Sequence, residues 1–244
     1  MTDRNKYSGV GLETTEGLSQ TLPFLQIIQS NSPEIKRSHE QYDNRKIEGA
    51  SEGDIVFLPE KILFKQEEGV KVIPLAFKNV YTEWRPKDSG GGFIGLQPLS
   101  VSTMSGYEKD GVIERLNGNE LINTIYVALL FETNGEWKDG VVAFTSTQLK
   151  KARAWSKMIT GFRYSDSPGT APPIFACTFR VKTEMESNDR GNWFGWKIIS
   201  EGPIEDEALL DEAFGACNRA KAELPNPTAE QKALPASQEE DEMF

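Results

Sequence analysis

The sequence predicts a mainly β, antiparallel fold with helical additions, on three observations. Apolar residues alternate with period two in several segments. Most of these segments follow one another without an intervening helical pattern, which argues against βα alternation and a parallel sheet. Finally, 21 glycines and 13 prolines in 244 residues suit a turn-rich β protein better than a helical bundle.

Residues 1–20 are rich in Gly, Thr and Glu and read as a flexible arm. Leu22 to Gln29 is a short strand candidate, and the polar stretch from Asn31 to Glu52 reads as loop. Strands follow at Asp54 to Leu58 and, longer, at Val70 to Arg85. In the second, Ile73, Leu75 and Phe77 alternate with their neighbours, and Pro74, which has no amide to donate, implies an edge strand or a bulge. From Pro86 to Asn119, Gly and Ser throughout suggest loop. Leu121 to Glu132 is the strongest strand, with Ile125, Val127, Leu129 and Phe131 on one face and Thr124 and Tyr126 outward. Asn134-Gly135 is a hairpin signal, with the loop expected to run to Asp139-Gly140 and Val141 to Thr145 returning as partner.

Leu149, Ala152, Trp155, Met158 and Ile159 then recur at helical spacing after a cap at Ser146 or Thr147, and Gly161 ends the helix. Ile174 to Lys182 and Asn192 to Ile199 are two more strands around a polar turn from Glu184 to Gly191. A second helix is expected from Pro203, with Leu209, Ala213, Phe214, Cys217 and Ala220 as its apolar stripe. A small set of strands interrupted by one helix is the element order of an OB-fold-like antiparallel Greek-key barrel. The implied organisation is an arm (1–20), one OB-like domain (21–222), and a disordered linker with an acidic tail (223–244).

Composition excludes several classes. No run approaches the length of a membrane span, and the polar start lacks a signal peptide, so a cytoplasmic protein is expected. One histidine and two distant cysteines, Cys177 and Cys217, leave no zinc site and no disulfide framework. No nucleophile elbow or phosphate loop is present. The reading is a non-enzyme that needs no metal and no cofactor.

The net charge of −10 hides two opposite blocks. From Glu223 onward six acids face one base, giving −5, whereas from Thr145 to Ser200 nine bases face four acids, giving +5. Aromatics are interleaved with the basic block, the combination with which single-strand binders neutralise phosphates and stack bases. Strand parity puts Phe175, Cys177, Phe179 and Val181 in the core and Arg180 and Lys182 on the solvated face. It likewise buries Phe194, Trp196 and Ile198 and places Trp193 with Lys197 on the binding side. Lys78, Tyr81, Trp84 and Arg85, at the end of the long strand, and Tyr126 on the central one are further candidates, Trp84 having a packing plug as its plainer role. The first helix carries Lys150, Lys151, Arg153 and Lys157 off its apolar stripe, with Arg163 and Tyr164 just after it. A helix face of this kind is equally an ordinary solvated surface.

The layout resembles that of a bacteriophage single-stranded DNA-binding protein: a basic, aromatic β-domain, a Pro/Ala-rich linker, and the terminal "EEDEMF". The segments "LPFLQIIQSNSPEIK", "EGASEGDIV" and "VIPLAFKNVYTEWR" are also similar to phage proteins described as DNA-binding. The resemblance implies an OB-fold core that binds single-stranded DNA without sequence preference in replication or recombination. It further implies that Glu239, Glu240, Asp241, Glu242 and Phe244 dock on replication proteins such as polymerase or primase-helicase, and compete with DNA for the basic groove. The sequence sets no oligomeric state, a homodimer being one that it permits. A virion or assembly protein, whose aromatics are all core, and a strand-annealing recombination protein are the rival readings.

Overall fold

The computed structural model describes residues 23–163, 172–189 and 191–223. In chain order the strands and helices are β1 (Leu25–Ile27), α1 (Tyr42–Arg45), β2 (Ile55–Phe57), β3 (Ile62–Phe64), β4 (Val70–Trp84), β5 (Phe93–Gln97), β6 (Tyr107–Asp110), β7 (Ile113–Leu116), β8 (Asn119–Thr133), β9 (Glu136–Thr145), α2 (Leu149–Gly161), β10 (Cys177–Asn188), β11 (Gly191–Pro203) and α3 (Glu207–Glu223). Strands β1, β2 and β3 form a small antiparallel sheet; the other eight form a large one, also antiparallel.

The spine of the large sheet is the pair β4–β8, in register from Val72↔Phe131 to Trp84↔Glu120. Along its other side β4 takes β10 at its start and β5 at its end, while β8 takes β9 and β7 in the same divided fashion. Because β4 is internal, Pro74 is accommodated by a bulge, and the register shifts between Pro74 and Ala76. The fold is mainly β and antiparallel, with a helix between β9 and β10 and a C-terminal helix. The expected barrel does not close: among the described residues, the sheet order β11-β10-β4-β8-β7-β6 is open at both ends.

Both faces of the spine are apolar. Val70, Val72, Ile125, Val127, Leu129 and Phe131 point to the side covered by α2 and the small sheet. Ile73, Leu75, Val80, Tyr126, Ala128 and Leu130 point to the side covered by α3 through Ala213, Ala216, Cys217 and Ala220. The small side chains of α3 let it lie close to the strands, and the Cys217 thiol reaches the Leu75 carbonyl at 3.2 Å. This second layer overturns the outward assignment of Thr124 and Tyr126, which are both 2% exposed. On the opposite side Trp155, fully buried, meets Phe77, Phe144 and Phe179 edge-on with ring centres 5.6–6.2 Å apart, and so fastens α2 to the sheet. Both cysteines are buried and free, and burial pushes the Cys177 thiol up to about 11.

Several boundaries differ from expectation for local reasons. β9 begins directly after Asn134-Gly135, both with positive φ (52° and 79°), so two residues close the hairpin. The stretch from Pro86 to Asn119 contains β5, β6 and β7, short strands whose polar or Gly-containing sequences carry no clear alternation. β10 continues through the acidic stretch to Asn188, pairing with β11 as a ribbon. α3 starts at Glu207 rather than Pro203, because the Asp206 carboxylate accepts a hydrogen bond from the Ala208 amide at 2.9 Å and caps it. Phe214 is 56% exposed and lies at the flank of that helix, its ring 6.1 Å from that of Phe175, rather than within its buried apolar stripe. α2 is led in by a short 3-10 turn, Ser146–Gln148, with no side-chain cap.

Edge strand β11 is closed by side chains. Gln29 both donates to the Phe194 carbonyl (2.7 Å) and accepts from its amide (2.9 Å), and the buried Gln148 accepts from the Trp196 amide (2.9 Å). The outward backbone groups at Phe194 and the Trp196 amide, which would otherwise invite another strand, are thereby used. The weight placed on Trp155 is testable: Trp155→Ala should destabilise the fold by about 3–5 kcal/mol in urea unfolding. A loss under about 1 kcal/mol, the range of a surface substitution, would show that α2 is held by something else.

Candidate nucleic-acid interface

With Ala152, Trp155 and Ile159 turned to the core, helix geometry sends Lys150, Arg153 and Lys157 outward in one stripe. All three are exposed, and among the described residues none has an ion-pair partner. At 1.5 Å rise per residue the stripe is about 10 Å long. Arg163 follows on the same end of the chain segment, exposed, donating to the carbonyls of Thr160 (2.7 Å) and Phe162 (2.6 Å). A cation at a helix C-terminus is favoured there by the dipole.

The second part is the β10–β11 ribbon, beyond the short stretch where β10 pairs with β4. Trp193 is half-buried and stands directly across from Glu186, its indole Nε1 donating to Glu186 Oε2 at 3.1 Å. Lys197 lies on the same side of β11, with its Nζ 3.3 Å from Glu184. Lys151, unlike its neighbours on α2, is drawn into this group: its Nζ binds Glu184 at 3.2 Å and Glu186 more closely still. Gln148 Nε2 completes it by donating to Glu186 at 3.1 Å. The ribbon and the start of α2 are thus joined through two carboxylates. Burial pushes the Glu184 carboxyl up, but hydrogen bonds from Lys151 and Lys197 outweigh that and hold it below the ordinary 4.5.

Arg180 and Lys182 share this face of the ribbon, Lys182 directly across from Lys197, but both are engaged: Arg180 is paired with Glu201 at 2.5 Å, and Lys182 donates to the Glu67 carbonyl. The other predicted residues do not join it. Lys78 is half-buried across from Tyr126, on the α3 side of the sheet. Tyr126, expected to face ligand, is enclosed there, and burial raises its phenol. Trp84 is a packing residue, 9% exposed and edge-on to Phe93 at 5.3 Å. Tyr81 is half-buried beside Glu114 and Asn123, with burial first and Glu114 second raising its phenol. Arg85 is exposed at the β4–β5 turn, away from α2 in the topology. Tyr164 and the tail residues Glu239, Glu240, Asp241, Glu242 and Phe244 lie outside the described residues.

Glu184, Glu186 and Gln148 fall outside the sequence expectation, which makes the first two part of a polar turn, whereas both lie within β10. Their spacing, two apart on an extended segment, was the available signal for a shared strand face. Among the described residues no group of three or more His, Cys, Asp or Glu side chains could hold a metal, and no helix is long and apolar enough to cross a membrane.

The depressed Glu184 carboxyl sets a direction for acid stability. A lowered folded value means its contribution is complete above the unfolded value, near 4.5, and is lost as pH falls through the folded one. Wild type should therefore exceed Glu184→Gln in urea midpoint at neutral pH, and that advantage should vanish well below pH 4.5. An advantage that persists in acid would deny the ionic contribution.

No curated protein and no solved structure matches the chain. A family model, that of the Pam3 phage gp34-like protein, matches residues 1–223, ending where α3 ends. The chain belongs to this phage family.

Proposed function

We propose that the protein binds single-stranded DNA without sequence preference, in phage replication or recombination. The observation that carries this reading is the α2 stripe: three exposed cations in helical register, without an ion-pair partner among the described residues, on a helix joined through Lys151 and Glu186 to a half-exposed tryptophan. Lys150, Arg153, Lys157 and Arg163 would meet phosphates, which fixes a strand without reading it. Trp193 offers a ring face to one base, worth about 1–3 kcal/mol by the usual cost of removing such a platform. With Trp84 and Tyr126 enclosed, stacking is limited and charge carries most of the affinity. The acidic tail is assigned to recruiting replication proteins, polymerase or primase-helicase among them.

The test is titration with poly-dT. Among the five tryptophans, Trp84, Trp155 and Trp196 are buried, and the half-buried Trp137 packs against the α3-side core with Lys71 over its ring, so quenching should come chiefly from Trp193 and be largely lost in Trp193→Phe. Four phosphate contacts predict a slope of about −3 for log affinity against log salt, since each contributes roughly 0.7 on a single strand. Replacing Lys150, Arg153 and Lys157 by Ala should flatten that slope to about −1 by the same rule. No binding at low salt would overturn the proposal. Incorporation of such a non-binding protein into phage particles would favour a virion role instead.

A further inference from the structure

We infer that Glu184 and Glu186 are built-in competitors for the interface: in the free protein they hold the donors that a phosphate backbone would otherwise take. This inference rests on the nucleic-acid reading above and specifies what sets its affinity. Four donor groups converge on the two carboxylates: Lys151 Nζ on both, Lys197 Nζ on Glu184, and Trp193 Nε1 and Gln148 Nε2 on Glu186. They come from two elements, the start of α2 and strand β11, which the carboxylates tie together. Residues two apart on a strand are about 6.6 Å apart on one face, at the strand rise of roughly 3.3 Å. That separation is of the order between neighbouring phosphates of an extended single strand. The acids therefore satisfy, from within, the charge and hydrogen-bonding demands that a bound strand would satisfy from outside.

The consequence is a division of labour among the bases. Lys150, Arg153 and Lys157 are unpaired among the described residues and are open to a polyanion at once. Lys151 and Lys197 are not: a phosphate reaching them must displace a carboxylate, and the displaced carboxylate then repels it. Lys151 is the more firmly held, being only 17% exposed, whereas Lys197 is 50% exposed and bound on one side. Glu184 and Glu186 are thus positioning residues that limit binding to a weak, reversible, salt-sensitive contact.

The experiment compares full-length wild type, Glu184→Gln and the Glu184→Gln/Glu186→Gln double variant, using fluorescence anisotropy of labelled oligo-dT across a salt series. Glutamine keeps the shape and can still accept from Trp193, and circular dichroism with thermal melting checks folding. The double variant should bind roughly tenfold tighter, its salt slope steeper by about 1.4 for two released lysines. Glu184→Gln alone, which loosens Lys197 most, should show about half that steepening. A folded double variant with unchanged or weaker affinity and an unchanged slope overturns the inference. If wild type binds through the α2 stripe while the glutamine variants behave identically, only this inference fails. If neither wild type nor double variant binds, both it and the DNA reading fail.

Discussion

The structure depends on one constraint: the β4–β8 pair is apolar on both faces over most of its length. A sheet of that kind cannot leave either side to water, because each side exposes a contiguous patch of Val, Ile, Leu and Phe. One side is met by α2 and the small sheet, with Trp155 as the wedge; the other by α3, whose Ala and Cys residues permit close approach. The α2 cations and the ribbon residues proposed for function then lie outside these layers. The α2 stripe points outward because the opposite face of that helix is committed to Phe77, Phe144 and Phe179.

The same constraint explains what the sequence disclosed and what it withheld. Strong alternation in Val70 to Arg85 and Leu121 to Glu132 located the two spine strands, and Pro74 announced its bulge. The period of α2 separated Trp155 from Lys150, Arg153 and Lys157, and both sets fall as expected. What alternation could not reveal is whether the less apolar face of a strand meets solvent or a second layer. Tyr126 looked outward because Thr124 precedes it on that face, yet Thr124 is itself buried, hydrogen-bonding distance (3.3 Å) from Thr82. Such a threonine pair satisfies its polar atoms internally, so polarity there carried no information about exposure. β6, with three charges in four residues, was equally opaque, since its register comes from β7 alone.

Charge counting failed for a related reason. The stretch from Thr145 to Ser200 is basic by composition, but its acids are not scattered at random in space. Glu184 and Glu186 bind Lys151 and Lys197, and Glu201, just beyond, binds Arg180. A local excess of cations is therefore reduced to a narrower one, concentrated on α2. Surface ion pairs of this kind add little stability, typically under about 1 kcal/mol each. Their effect is on availability: a lysine engaged with two carboxylates presents far less field to an approaching phosphate than a lysine in water.

The geometry also changes the kind of contact to be expected. A closed barrel with a groove would line a strand with several aromatic faces, whereas in the proposed reading the outward face of α2 beside the β10–β11 ribbon offers, among the described residues, cations and one half-buried indole. Such a surface would follow a phosphate backbone more readily than it would read bases. Rigidity nonetheless favours it. Gln148 bonds both the Trp196 amide and Glu186, so the start of α2, the edge of β11 and the Trp193 ring are tied to one another. The helix backbone that carries Lys150, Arg153 and Lys157 is thereby fixed relative to the Trp193 ring, and in the proposed reading that pre-organisation offsets part of what further aromatic platforms would have contributed.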